Sequence, residues 1–162
     1  MGEMSWFQAL VERVRVWWAK LFVERVRQQF LDCLDSDALD ALLELLLRLM
    51  SMRFLIDPEF RRNIEGYEVS YMFRSKDSSI LTSAIFHRGR MKVRTGGIDD
   101  PDIEVVFKDA KALKDFLFAR TDEERDLIAA ILDNEVSYVG NVNYLSKLAF
   151  MARHLLLELQ PA

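Results

Sequence analysis

The sequence predicts an α+β fold with five strands, helices that cover the sheet, and further helices at the N-terminus. Gly2 is the only glycine among the first 57 residues, and no proline precedes Pro58, so the first third of the chain reads as helical. After Gly66 the apolar residues recur with a period of two, which is typical of half-buried strands. A helical period returns after Asp109, so more helices follow the strands.

The first predicted helix begins near Ser5 and carries one broad apolar face. At 100° per residue its large apolar side chains fall within an arc of roughly 160°, with cations opposite: Trp6, Phe7, Leu10, Val11, Val14, Trp17, Trp18, Leu21 and Phe22. The pattern then shifts phase, because Val23, Val26 and Phe30 form a new stripe. We therefore expect a kink or a change of packing partner near Val23.

A second helix is predicted from Ser36, a suitable N-cap, to about Met50. It is apolar on nearly all sides, which indicates a well-buried helix.

The middle of the chain predicts four strands. Apolar and polar residues alternate from Tyr67 to Phe73, and a polar turn separates this strand from a second one over Ile80–His87. A short third strand, Met91–Arg94, and a fourth, Ile103–Phe107, follow.

The remaining elements are predicted from capping residues and periodicity. Asp109 can cap a helix over Ala110–Ala119, and Thr121 has capping-box spacing for a short helix through Leu132. A fifth strand over Glu135–Val139 ends at a glycine, and Asn141 can cap a long final helix.

Composition and residue spacing exclude several classes of function. The net charge of −4 argues against nucleic acid as a partner, because phosphate binding needs a concentrated basic surface. His87 and His154 have no second ligand at metal spacing, and Cys33, the single cysteine, lies in no redox or nucleophile signature. We therefore expect no catalytic residues, no metal and no cofactor, and predict that the protein is not an enzyme.

The C-terminal half contains residues that resemble a known family. The strand "DIEVVF" (Asp102–Phe107) leads into the helix "KDAKALKDFLFA", and the junction Tyr138–Leu145 joins a strand that ends in glycine to a terminal helix. This order of elements resembles the sterol carrier protein type 2 family, in its bacterial type with an N-terminal helical extension. The resemblance covers about Phe54–Leu159, with Asn141 in a position where the family usually has aspartate.

The resemblance implies a fold, a domain division and a ligand. The fold would be a five-stranded, mostly antiparallel sheet covered by helices, with residues 1–52 as a helical extension and residues 53–162 as the lipid-binding domain. Family members bind sterols, fatty acyl chains or other lipids in an apolar tunnel between sheet and helices. The alternative for each candidate lining residue is an ordinary place in the core. The candidates are Tyr71, Phe73, Phe116, Leu117, Ile128, Ile131, Leu145, Leu148 and Met151.

The first helix has the pattern of a helix that lies in a membrane surface, with aromatic rings on one side and cations on the other. The predicted membrane contacts are Trp6, Phe7, Leu10, Trp17, Trp18 and Leu21. Packing on the domain itself, or on a second subunit, are the alternatives. A row of cations at alternating positions, Arg88, Arg90, Lys92 and Arg94, predicts either an anionic headgroup site or a solvated edge strand.

These features predict non-catalytic binding, and transfer or presentation, of a sterol, fatty acyl or isoprenoid lipid, with peripheral docking on a membrane. The expected location is the cytoplasm, in part on the inner face of a membrane. The alternative function is a scaffold or assembly module whose first helix contacts another protein or a second copy of the chain. Some bacterial relatives with helical additions support ubiquinone biosynthesis, so the resemblance implies that setting for the alternative.

Overall fold

The computed structural model describes residues 3–35, 41–118, 129 and 131–159. The elements bounded within these residues are three helices followed by four strands, then one helix, a fifth strand and a long helix. The elements are α1 (Glu3–Asp35), α2 (Leu42–Ile56), α3 (Pro58–Arg61), a 3₁₀ turn (Arg62–Ile64), β1 (Val69–Ser75), β2 (Leu81–His87), β3 (Arg90–Thr95), β4 (Ile103–Phe107), α4 (Ala110–Phe118), β5 (Val136–Gly140) and α5 (Val142–Leu159).

The five strands form one mixed sheet in the order β3-β2-β1-β4-β5. β1 and β4 are parallel, with Tyr71 opposite Ile103, and the other three pairs are antiparallel. Arg88 and Gly89 join β2 to β3 with φ of 50° and 68°, the positive values that a tight type I′ hairpin turn requires. The predicted α+β class with a mostly antiparallel five-stranded sheet is therefore confirmed.

The core lies between one face of the sheet and the helices. Alternate side chains of β1, Val69, Tyr71 and Phe73, are buried, as the period of two predicts. α2 contributes seven buried residues, which agrees with its nearly continuous apolar sequence. α5 contributes a buried stripe at helical spacing: Leu145, Leu148, Met151, Ala152, Leu155 and Leu156.

α1 is one continuous helix of 33 residues. The helix is continuous through Val23, and at this point its apolar stripe passes from solvent to the core. Beyond it, Val23 and Val26 pack against the core and Phe30 is buried. Before it, most apolar side chains of α1 are exposed. The C-terminal half of α1 is therefore part of the folded core, and its N-terminal half presents apolar side chains to the outside.

The ends of several helices are set by polar side chains. Asp109 Oδ1 accepts from the Ala112 N–H at 2.8 Å, and Asn141 Oδ1 accepts from the Asn143 N–H at 2.9 Å, which confirms both predicted caps. α2 ends at Ile56 and not at Met50, because Asp57 caps the next helix by accepting from two of its N–H groups.

Two predicted helix starts, at Ser36 and Thr121, lie outside the described residues. Of the short helix predicted through Leu132, residues 129, 131 and 132 are helical. The predicted division at residue 52 would fall within α2, whose residues on both sides of that position are buried in the same core. The division into two domains remains a prediction.

Candidate functional site

A groove lies between α1, α2 and the β2–β3 hairpin, and we refer to it as the α1–hairpin groove. Its volume is about 1380 Å³. α2 is fixed to the hairpin beneath it, because Ser51 Oγ donates to the Met91 carbonyl at 2.8 Å. The α1 residues that line the groove are Gln8, Glu12, Arg15, Trp18, Ala19 and Phe22.

One wall of the groove is aromatic and apolar. The rings of Trp18 and Phe22 are stacked, with centroids 5.4 Å apart and planes within 4°. Both rings remain exposed along α1. Met52 and Leu55 of α2 and Val93 of β3 add apolar surface to the lining. This wall can accept an apolar chain or ring without burying a polar group.

Among the described residues, the lining also contains six arginine or lysine side chains but only one carboxylate. That carboxylate, Glu12, pairs with Arg90 at 2.7 Å and so links α1 to β3. Arg48 pairs with Glu44 at 2.6 Å, and Arg61 donates to two backbone carbonyls. The six cations are Arg15, Arg48, Arg61, Arg88, Arg90 and Lys92.

Within the described residues, the side chains of Arg15 and Lys92 make no hydrogen bond or ion pair, and both residues are exposed. Glu68 lies beside the hairpin turn, where its carboxylate accepts from the Arg88 N–H at 2.8 Å and bonds to His87. The hydrogen bond from the Arg88 N–H, followed by the bond to His87, holds the pKa of Glu68 below its ordinary value.

Most of the predicted tunnel residues lie in the core. Tyr71, Phe73, Leu145, Leu148 and Met151 are all buried. Three others, Phe116, Leu117 and Ile131, are partly buried and pack against the same core, and Ile128 lies outside the described residues. None of the eight described candidates lines the α1–hairpin groove. A tunnel between sheet and helices remains a prediction.

A chain of hydroxyl groups crosses the core near these residues. The Tyr67 and Tyr71 hydroxyl oxygens are 2.6 Å apart, and the Tyr71 hydroxyl donates to the Tyr144 carbonyl at 2.8 Å. Tyr67 is therefore the donor to Tyr71, since Tyr71 has only one hydrogen to give. Burial raises the pKa of both phenols, so both stay protonated. The chain ties β1 to the first turn of α5.

The predicted membrane-contact residues lie on the exposed N-terminal half of α1. Trp6 is 61% exposed and Trp17 is 57% exposed. The side chain of Phe7 lies outside the described residues. We call the exposed set the α1 aromatic face: Trp6, Leu10, Val11, Val14, Trp17, Trp18, Leu21 and Phe22. The members of the face are between 38% and 61% exposed. In the described part of the chain, no helix is long and apolar enough to cross a membrane.

The α1 aromatic face and the α1–hairpin groove are neighbours. At 100° per residue, the centre of the face lies roughly 100° around the helix from the groove-lining side. Trp18 and Phe22 belong to both surfaces. The aromatic surface therefore continues from the outer side of α1 into the groove.

Sequence reasoning found only part of the groove. The alternating cations of the hairpin indicated Arg88, Arg90 and Lys92, whereas Arg15 and Arg48 carried no signal because they lie on helices far away in the sequence. Arg94, the fourth predicted cation, is not part of the lining. Among the described residues, no group of three or more His, Cys, Asp or Glu side chains is arranged to hold a metal ion.

No family model and no curated protein matches the chain. Among solved structures, a UbiJ-SCP2 ubiquinone synthesis protein is similar over 64% of this chain and 78% of its own, with 19% identity and a TM-score of 0.48. The sterol carrier protein domain 2 of Helicoverpa armigera is similar over 76% of this chain and 93% of its own, with 13% identity and a TM-score of 0.49.

The sec-alkylsulfatase Pisa1 from Pseudomonas sp. is similar over 67% of this chain, with 17% identity and a TM-score of 0.50. The likeness spans only 15% of the sulfatase chain. At these identities the comparisons concern the fold. The match to this segment and the observed strand order support the predicted α+β architecture. The chain therefore has an α+β fold like that of the matched segment of the sulfatase.

Proposed function

We propose that this protein binds lipid without catalysing a reaction and docks peripherally on a membrane through α1. The α1 aromatic face is the observation that carries the proposal. Proteins that stay monomeric in water rarely expose a contiguous apolar patch of this kind, so such a patch indicates a surface that becomes covered. The resemblance of the sequence to a lipid-binding family favours lipid as the covering material.

The composition of α1 suits a membrane surface better than a protein core. Tryptophan prefers the interface between lipid headgroups and acyl chains, and this face carries all three tryptophans of the chain. Arg13 and Lys20 are exposed on the other side of the helix, where they can reach anionic headgroups. Because Phe30 anchors the C-terminal half of α1 in the core, docking would hold the domain close to the bilayer.

Flotation with vesicles of phosphatidylcholine containing a fifth of phosphatidylglycerol tests the docking step. We expect the wild-type protein to float, and the triple variant Trp6→Ser/Trp17→Ser/Leu21→Ser to lose at least tenfold in partition. The matched control is Leu157→Ser, which removes an apolar side chain that is 70% exposed on α5. Wild type that stays unbound, or a triple variant that floats equally well, would contradict the docking proposal.

Lipid binding is tested separately by native mass spectrometry of protein purified without detergent and then exposed to the same vesicles. We expect a lipid adduct that disappears on denaturation. Protein without any adduct, which also takes up no fluorescent fatty acid, would contradict the lipid-binding proposal.

The second candidate function is an assembly module, and the same exposed face favours it. In that case the face would contact another copy of the chain or another protein, in the ubiquinone-type setting that the resemblance implies. Sedimentation velocity distinguishes the two. A wild-type dimer that becomes monomeric in the triple variant, together with no vesicle binding, would support assembly. Deleting residues 1–30 is a poor test, because it removes the buried Ala19 and Phe30.

A further inference from the structure

The α1–hairpin groove is strongly cationic in a protein whose net charge is −4. Among the described residues, six lysines and arginines line it, against one acidic residue. A concave surface lined by one sign of charge concentrates ions of the opposite sign. The groove therefore favours a negatively charged ligand.

The cations of the groove differ in whether their side chains already have an ion-pair or hydrogen-bond partner. Arg48 and Arg90 pair with carboxylates, and Arg61 donates to carbonyls. Within the described residues, the side chain of Arg88 at the hairpin turn has no such partner. The same holds for Arg15 on α1 and Lys92 on β3, which line the groove from two different elements. An anionic group placed between them would gain two charge-assisted contacts without breaking an existing pair.

The apolar wall sets the second requirement for a ligand. The stacked rings of Trp18 and Phe22 lie on the α1 side of the groove, and Met52 and Leu55 add surface from α2. A small inorganic anion would leave this wall in water, and an uncharged sterol would leave Arg15 without a partner. The volume of about 1380 Å³ exceeds the usual range for drug-sized ligands, roughly 300–1,000 Å³.

We infer that the α1–hairpin groove binds an anionic amphiphile, a molecule with a long apolar chain that ends in a carboxylate or phosphate monoester. The head lies between Arg15 and Lys92, and the chain lies along Trp18 and Phe22. This inference rests on the proposed lipid-binding function and names its ligand class and site. Because the aromatic surface continues from the outer side of α1, a ligand has a continuous apolar path between membrane and groove.

Tryptophan fluorescence gives a direct test, because a bromine atom quenches an indole that it contacts. The variant Trp6→Phe/Trp17→Phe leaves Trp18 as the single tryptophan and keeps the α1 face aromatic. The probe is ω-bromododecanoate below its micelle concentration, and its uncharged counterpart is ω-bromododecanol. We expect saturable quenching by the carboxylate, and binding of the alcohol that is at least tenfold weaker.

Charge variants in the same background locate the head. We expect Arg15→Gln and Lys92→Gln each to raise the Kd for the carboxylate about threefold, and the double variant about tenfold. The matched controls are Arg13→Gln on α1 and Arg94→Gln on β3, which remove equally exposed cations outside the lining. Controls that weaken binding as much as the groove variants, or groove variants without effect, would overturn the inference.

Two further experiments distinguish a lipid site in the groove from a simple anion site and from membrane docking. Inorganic phosphate should compete poorly, and full displacement of the carboxylate by phosphate alone would show an anion site without a lipid chain. Vesicle flotation of Arg15→Gln/Lys92→Gln should match wild type. Absence of quenching with normal flotation refutes the groove inference alone, whereas quenching without flotation refutes the docking proposal alone.

Discussion

Replacing Gly140 with alanine should destabilise the sheet, because the end of β5 lies against the backbone of β4. A Cβ atom at position 140 would lie 2.5 Å from the Asp102 carbonyl oxygen and 3.0 Å from the Ile103 Cα. Both atoms belong to the main chain and cannot rotate away. Gly140 also has φ of +125°, a conformation that residues with a side chain rarely adopt.

The expected loss in the free energy of unfolding is the sum of these two effects. Backbone strain of this kind costs about 1–3 kcal/mol, and forcing extra atoms into a packed site costs about 1–3 kcal/mol more. The expected loss is therefore about 2–6 kcal/mol, a large part of the roughly 5–15 kcal/mol by which domains are stable. At roughly 2–4 °C per kcal/mol for a chain of this length, Tm should fall by about 10 °C.

Urea and thermal unfolding followed by circular dichroism measure the change. Gly66→Ala is the matched control, because Gly66 has φ of +65° but no atom within 4 Å of the added Cβ. It should lose only about 1–2 kcal/mol from backbone strain. Equal losses in the two variants, or a Gly140→Ala protein within about 2 °C of wild type, would show that β4 and β5 can separate without cost and would refute the reasoning.

Three further changes probe other parts of the fold. Tyr71→Phe leaves the Tyr144 carbonyl without its donor in the core, so urea unfolding should show a loss of about 1–3 kcal/mol. Phe30→Ala opens a cavity beneath α1 and should cost about 3–5 kcal/mol in the same assay, whereas alanine at an exposed tryptophan of α1 should cost less than about 1 kcal/mol. The Arg88 N–H lowers the folded-state pKa of Glu68, so its stabilisation is present above the unfolded pKa and is lost as pH falls through the folded value. Unfolding curves at about pH 5 and about pH 3 should therefore show a smaller acid-induced loss for Glu68→Gln than for wild type, and an equal loss would contradict this.

The order of the elements could be predicted because each leaves a local signal. The alternation from Tyr67 to Phe73 and the caps at Asp109 and Asn141 depend only on neighbouring residues, and the structure confirms all three. The change at Val23 is also visible in the sequence, because a helix that passes from solvent to a packed core shifts its apolar stripe around its axis.

The groove could not be predicted in the same way. Arg15 and Lys92, two of the lining cations whose side chains have no partner among the described residues, are 77 residues apart in the sequence. They line one groove only because α1 and the hairpin both border it. Arg15 has no unusual local pattern, since charged residues on exposed faces are common. Lys92 belongs to the alternating cations of the hairpin, but that pattern does not show which helix lies opposite. The stop of α2 at Ile56 was missed for a related reason, because it depends on Asp57 acting as the cap of the next helix.

The parallel pairing of β1 with β4 has a consequence for how the chain folds. β1, β2 and β3 are joined by short turns, so their hairpins close with little loss of chain entropy. β4 must instead find β1 across the 32 residues that separate Tyr71 from Ile103, and β5, which pairs with β4, can join the sheet only after it. Until β4 pairs with β1, the backbone N–H and C=O groups along one edge of β1 have no partner. During this time two newly made chains can pair through these edges, so aggregation is most favoured then.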